Sequence, residues 1–202
     1  PDVAVLDVAD LVEASTGAGT NRPCLFEWQT GTLSVQRWAM RDRGVTGRVA
    51  EPVISGHWLI TGGLGKIGLR IAVHLAGRGA ETTLLARRHP SEAEQAVLDD
   101  IRPRPRVVIA DTGDRQALAG ALSDIPDVDR LVHCAGVLRD GLLINKTQDQ
   151  SQAVIEAKVG SLDAVLSALR QPPSGGVVCF SSVASLFGQR GQTDYAFANG
   201  WL

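Results

Sequence analysis

The sequence predicts an α/β fold, a doubly wound parallel sheet with helices on both faces. Three observations carry that expectation. From Trp58 onward, short apolar runs alternate with stretches of helical periodicity. The runs read as short buried strands, which belong in a parallel sheet covered on each side. A glycine-rich turn joins the first of these runs to the first helix.

Taken in order, His57–Thr61 (HWLIT) reads as the first strand of this region and residues 66–77 as its helix. Residues 82–86 form the next strand, followed by a helix from 91 to about 101 that Ser91 can cap. A strand at 106–110, a helix at 114–123 and a strand at 129–134 continue the alternation. A long helix over 147–170 precedes a strand at 176–180, and a last helix starts near Gln192 and is still running at Leu202.

The 202 residues suit one ordinary domain with room for a fragment of a second. A net charge of −2, from 20 basic and 22 acidic side chains, gives no electrostatic case for nucleic acid or an anionic membrane. No apolar stretch is long enough to span a bilayer. Cys24, Cys134 and Cys179 are odd in number, far apart and without a C-x-x-C pair. They imply neither a disulfide framework nor a structural metal, and they fit a reducing, cytoplasmic setting. Residues 1–50 read differently from 51–202. They hold short apolar patches separated by Gly, Thr, Asn and Pro, a loop at 17–23, and a loosely alternating strand at 32–38. That is too little for an independent core, so the stretch reads as the remnant of a neighbouring subdomain packed on residues 51–202. The chain opens at Pro1 without a signal segment and looks like a piece of a longer cytosolic polypeptide.

Thr61-Gly62-Gly63-Leu64-Gly65-Lys66-Ile67-Gly68 joins strand to helix and contains G-x-G-x-x-G at Gly63, Gly65 and Gly68. Glycines there let the backbone turn tightly and approach a pyrophosphate seated on the helix N-terminus, the Rossmann-like arrangement. The motif alone is weak in a chain with 22 glycines, but between a strand and a helix it becomes specific. The expected dinucleotide contacts are therefore Thr61, Gly62, Gly63, Leu64, Gly65, Ile67 and Gly68. The second strand ends Leu85-Ala86-Arg87-Arg88, with no acid to hold a ribose 2′-hydroxyl. An arginine fork at Arg87 and Arg88 suits a 2′-phosphate, so NADPH is expected over NADH. Asp111, after the third strand, could reach the adenine edge or serve as a turn residue. Ala135 and Gly136 follow the fourth strand, where small residues let a cofactor lie close to the backbone.

The long helix carries one misplaced charge. At 100° per residue, Val154, Ile155, Val159, Leu162, Val165, Leu166 and Leu169 fall within an arc of about 140°, and Lys158 falls inside it. A lysine there must snorkel out, find a partner or have work to do. Phe180-Ser181-Ser182 leaves the fifth strand at the sheet's carboxyl edge, the usual ligand edge of such sheets. Tyr195, the chain's only tyrosine, and Asn199 follow at i, i+4 spacing on one helix face. A carbonyl that accepts hydride needs a proton on its oxygen. A phenol beside a cation can give one, and a serine hydroxyl can hold the developing oxyanion.

TGGLGKIG, LLARR, HCAGVLRDG, the Lys158 helix, FSSVAS and Tyr195-x-x-x-Asn199 together resemble the ketoreductase domain of modular polyketide synthases, within the short-chain dehydrogenase/reductase superfamily. The resemblance covers about residues 56–202. Most of that superfamily carries Y-x-x-x-K with an asparagine on the preceding long helix; here lysine and asparagine are exchanged, as in polyketide and related fatty acid synthases. The absence of Y-x-x-x-K argues against a free-standing reductase or epimerase. The resemblance implies NADPH-dependent reduction of a β-ketoacyl thioester, held on an acyl carrier protein by phosphopantetheine, among neighbouring synthase domains. By match of position it makes Tyr195 the proton donor, Ser182 rather than Ser181 the oxyanion ligand, and Lys158 and Asn199 their supports.

The chain departs from the family at several points. The stereochemical Leu-Asp-Asp motif reads Leu138-Arg139-Asp140, and Phe187 stands where one stereochemical class carries Trp. Arg190 and Asp194 stand where that other class often has Pro and Asn. The retained Asp140 implies the D-configured hydroxyl. Family members continue beyond the tyrosine helix with two strands and a lid, so the 202 residues alone are expected to bind NADPH weakly and turn over slowly. A catalytically silent structural or docking domain of such a synthase is the competing reading.

Overall fold

The computed structural model describes residues 24–29, 32–37 and 54–202. The chain divides into two compact units, Pro1–Val49 and Ala50–Leu202. In the first, β1 (Cys24–Gln29) pairs antiparallel with β2 (Thr32–Arg37), in a register that sets Cys24 opposite Arg37 and Gln29 opposite Thr32. The sequence suggested the second of these strands and read the first only as an apolar patch. The loop expected at 17–23 lies outside the described residues.

In the second unit, β3 (His57–Thr61), β4 (Glu81–Ala86), β5 (Arg106–Ile109), β6 (Arg130–His133) and β7 (Val177–Cys179) form one parallel sheet in the order β5-β4-β3-β6-β7. The helices that join β3 to β6 are α1 (Lys66–Ala76), α2 (Glu92–Asp100) and α3 (Arg115–Ser123). Period-two alternation sorts the strand side chains into two cores. Leu59, Leu85 and Leu131 pack with Leu118 and Leu122 of α3 on one face, while Ile60, Leu84 and Val132 pack with Ala72, Leu75 and Leu98 on the other. Both faces of the central strands are thus covered, which is why they read as continuous apolar runs. Caps agree with the sequence: Ser91 and Glu94 form a reciprocal capping box on α2, and the Asp114 side chain accepts from Ala117 N–H at the start of α3.

The long helix expected at 147–170 is instead three segments in series. These are α4 (Gln148–Ile155), a wide π-turn over Glu156–Gly160, and α5 (Ser161–Ala168). In the wide turn Ser161 N–H reaches back to Glu156 O, an i to i+5 bond. A wheel drawn at a constant 100° per residue drifts out of phase across such a turn. Val154, Leu162 and Val165 are buried as expected, but Leu166 is not. Leu169 is extended and ends the helix. Two short elements had no sequence signal: a 3-10 turn at Leu143–Asn145 and α6 (Ala184–Phe187). The chain then enters α7 (Thr193–Trp201), which carries the tyrosine.

Candidate active site

The strand order reverses between β3 and β6, and an open parallel sheet binds ligands at the carboxyl ends of the strands at that point. A cleft of about 590 Å³ opens there. Of the expected dinucleotide contacts, Thr61, Gly62, Leu64, Gly65, Arg87, Arg88, Asp111, Ala135 and Gly136 line it. Gly63, Ile67 and Gly68 do not. Ile67 sits half exposed on α1, while a Cβ on Gly68 would stand 2.6 Å from Gly62 O, so Gly68 serves the close approach of helix and loop. Gly62 has φ +63° and lies against the Ala135 backbone, where any Cβ would be 3.0 Å away. It therefore meets both demands that favour glycine.

The two arginines are not equivalent. Arg88 grips Glu94 with both terminal nitrogens at 2.7 Å, holding that carboxyl down at about 2. A phosphate at Arg88 would compete with this carboxylate, whereas Arg87 has no such partner among the described residues. Asp111 accepts from Gly113 N–H at 3.0 Å, so its side chain shapes the turn while it borders the cleft.

Lys158 occupies the middle of the π-turn and is 5% exposed. Its Nζ makes one long contact, to Ala135 O at 3.5 Å, and would lie 3.7 Å from a Cβ on Gly136. Burial pushes its pKa down, while the Cys134 and Cys179 thiols pull the other way. The lysine therefore does not snorkel, and it finds no counter-ion among the described residues. The π-turn packs against α7, the helix of Tyr195 and Asn199.

Asn199 is 2% exposed and donates from Nδ2 to Tyr195 O at 2.7 Å, leaving its buried Oδ1 without a partner among the described residues. The two serines separate clearly. Ser181 spends its hydroxyl hydrogen on Asn199 O at 2.8 Å. Ser182 Oγ accepts from Ala184 N–H at 3.2 Å, which leaves its own hydrogen available. Lys158, Ser182, Tyr195 and Asn199 lie outside the cleft wall, and the Lys158 contact at Ala135–Gly136 joins the two groups. Asp140 accepts from Gln192 Nε2 at 3.0 Å, and Gly141 N–H bonds Gly191 O at 2.9 Å. These bonds stitch the Leu138-Arg139-Asp140 segment to the start of α7. Phe187 ends α6 and is partly exposed.

The profile of the KR domain family matches residues 56–202. The chain belongs to the ketoreductase domains of modular polyketide synthases, within the short-chain dehydrogenase/reductase superfamily. It is 37% identical over 174 residues to polyketide synthase GfsA of Streptomyces halstedii, covering 82% of this chain and 2% of that synthase. Against mycoketide-CoA synthase of Mycobacterium tuberculosis it is 33% identical over 171 residues, covering 78% of this chain and 4% of the other. A ketoreductase domain from the bacillaene assembly line superposes with TM-score 0.72 at 29% identity, over 87% of this chain and 44% of that one. An A1-type ketoreductase superposes with TM-score 0.74 at 29% identity, over 93% and 41%. The chain thus spans a small part of the synthases and under half of these solved ketoreductase chains.

Two residues that sequence reasoning passed over belong to the site's framework. His133, just before Cys134-Ala135-Gly136, is wholly buried. Lys146 forms a buried ion pair with Asp194, the residue before Tyr195. The available signals were a histidine inside an apolar strand, and a lysine in a chain that has only three.

Proposed function

We propose that this domain reduces a β-ketoacyl thioester, carried on an acyl carrier protein by phosphopantetheine, to the β-hydroxyacyl thioester with NADPH, as part of a cytoplasmic synthase whose other domains are its neighbours. The first unit is then the tail of the structural subdomain. The residues present fit the nucleotide. A backbone cradle at Gly62 and Gly65 and an Arg87 without an ion-pair partner among the described residues border the cleft and suit a phosphate-bearing ligand. Arg87 would hold the 2′-phosphate, with Arg88 assisting if it releases Glu94.

Bound NADPH would supply the hydride. Tyr195 donates its phenolic proton to the carbonyl oxygen as charge develops there. Ser182, whose hydroxyl hydrogen is unspent, hydrogen-bonds the same oxygen. Lys158 favours the phenolate that is left behind, because an ammonium in a low-dielectric site acts strongly on nearby charge. Asn199 holds the Tyr195 backbone through its carbonyl. The single observation that carries this reading is Lys158, buried without a counter-ion among the described residues on the turn against which the tyrosine helix packs. Asp140, fixed beside the start of that helix, supports delivery from the face that gives the D-configured alcohol.

The test is NADPH oxidation by the polypeptide bearing this domain, with a β-ketoacyl thioester, for wild type against Tyr195→Phe. Thioester-dependent oxidation that the variant loses supports the proposal. Folded wild type that binds NADPH and turns over nothing would favour the silent structural domain. Recovery of the L-alcohol would reject the stereochemical part alone.

A further inference from the structure

We propose that His133 is a positioning residue for Lys158, fixing where the lysine's backbone sits above the sheet and thereby where its ammonium lies. The inference rests on the reductase reading only for the meaning of that placement, and its geometry is independent of it. His133 ends β6 directly beside Thr61 in the parallel register, so their side chains share one sheet face. Its Nε2 lies 2.8 Å from Lys158 O, and its Nδ1 lies 2.8 Å from Thr61 Oγ1.

A carbonyl can only accept, so Nε2 carries the hydrogen and Nδ1 is bare. The Thr61 hydroxyl must then donate to Nδ1, and its lone pairs accept Ala135 N–H at 3.3 Å. The result is one directed chain from Ala135 N–H through Thr61 and His133 to the carbonyl of Lys158. It closes on itself, because the Lys158 ammonium contacts Ala135 O. One buried network thus fixes the lysine at its backbone and, through Ala135, at its tip.

The π-turn explains why such a fixture is needed. Widening a helix by one residue loosens the hold of the backbone ladder on its carbonyls, and side chains take up the slack. Ser161 Oγ bonds Ala157 O at 2.8 Å and reaches Lys158 O only at 3.4 Å, while His133 Nε2 holds Lys158 O at 2.8 Å. Burial holds the imidazole pKa down to about 4, so the neutral tautomer persists at neutral pH. Thr61, expected from sequence as a nucleotide contact, borders the cleft but commits its hydroxyl to this chain.

The chain has only three lysines, so each can be followed by ¹³Cε NMR without any activity assay. In wild type, Lys158 titrates below the ordinary lysine range, and ¹⁵N-histidine spectra show His133 as the neutral Nε2–H tautomer at pH 7. In His133→Leu the Lys158 midpoint rises by about one pH unit as the ammonium relaxes toward water. In His133→Gln, which keeps a donor for Lys158 O, it stays near the wild-type value. Thr61→Val provides a second disturbance if His133→Leu does not fold, and shifts the same lysine signal in the same direction. In the reductase assay His133→Leu lowers kcat more than it raises KM, and the loss disappears in a Lys158→Met background. A merely structural histidine would lower the rate equally in both backgrounds. Folded His133→Leu, or folded Thr61→Val in its place, with an unmoved Lys158 titration overturns the proposal, as does an Nδ1–H tautomer in wild type. Wild type inactive on every thioester would defeat the reductase reading and leave the lysine titration to decide this one.

Discussion

Two lysines lie close to the tyrosine helix, and both side chains are buried, yet they are treated oppositely. Lys146 meets Asp194 in an ion pair whose side chains are 2% and 5% exposed. Asp194 also accepts Tyr195 N–H at 2.9 Å. This pair clamps the start of α7 to the segment before α4, and the charge is answered in full. Lys158 has a carbonyl at 3.5 Å and two thiols nearby, and no carboxylate partner among the described residues. Burying an ammonium without a counter-charge costs free energy that folding alone does not repay. The difference separates a charge held in an ion pair from one that the proposed reaction would use.

The largest expected effect falls on the chemical side. Tyr195→Phe removes the proposed proton donor while keeping the ring, and the proposed reduction should fall by about 10²–10⁴-fold. An unchanged unfolding transition would assign the loss to chemistry. Next comes the clamp. Lys146→Met leaves Asp194 buried without its partner and should cost about 3–5 kcal/mol in urea unfolding. Replacing both residues, as in Lys146→Met with Asp194→Leu, should recover most of that. A Lys146→Met protein as stable as wild type would erase the contrast between the two lysines.

A smaller effect sharpens the comparison through pH. The folded state holds His133 down at about 4, against 6.5 for a free imidazole. Unfolded chains therefore take up this proton first as pH falls, and the stability tied to His133 declines from about pH 6.5 down to about pH 4. At about 1.4 kcal/mol per pH unit the loss is roughly 3 kcal/mol. Urea unfolding of wild type and His133→Gln should show their difference in stability changing across that window and constant above pH 7. The smallest effect concerns the nucleotide edge. Arg87→Ala should weaken NADPH binding about tenfold and NADH binding hardly at all. Arg88→Ala should do less, because Arg88 already serves Glu94. Equal losses for both nucleotides would remove the case for a 2′-phosphate site.

The parts legible in the sequence were those written in local pattern. HWLIT, the glycine loop and the Ser91 cap each declare themselves within a few residues, and the sheet follows from the alternation of strands and helices. Ser182, Tyr195, Lys158 and Asn199 stand out in the sequence as the proposed catalytic set because carbonyl reduction would restrict residue type at those places. What stayed hidden depends on contacts between distant segments. The π-turn breaks a helix whose apolar residues look evenly spaced, and nothing local announces the extra residue. His133 reads as one polar residue in an apolar strand until Thr61 and the Lys158 carbonyl are brought to either side of it. Arg87 and Arg88 look like a matched pair until Glu94, whose capping role is local, is seen to hold one of them.

The central claim concerns the ammonium of Lys158, and Lys158→Met tests it most directly, because methionine keeps the length of the side chain and discards the charge. Urea unfolding and NADPH-dependent reduction should be measured on the same preparation. The account predicts a protein at least as stable as wild type whose reduction is slowed by about 10²-fold. A variant that is destabilised yet reduces its thioester at the wild-type rate would contradict it.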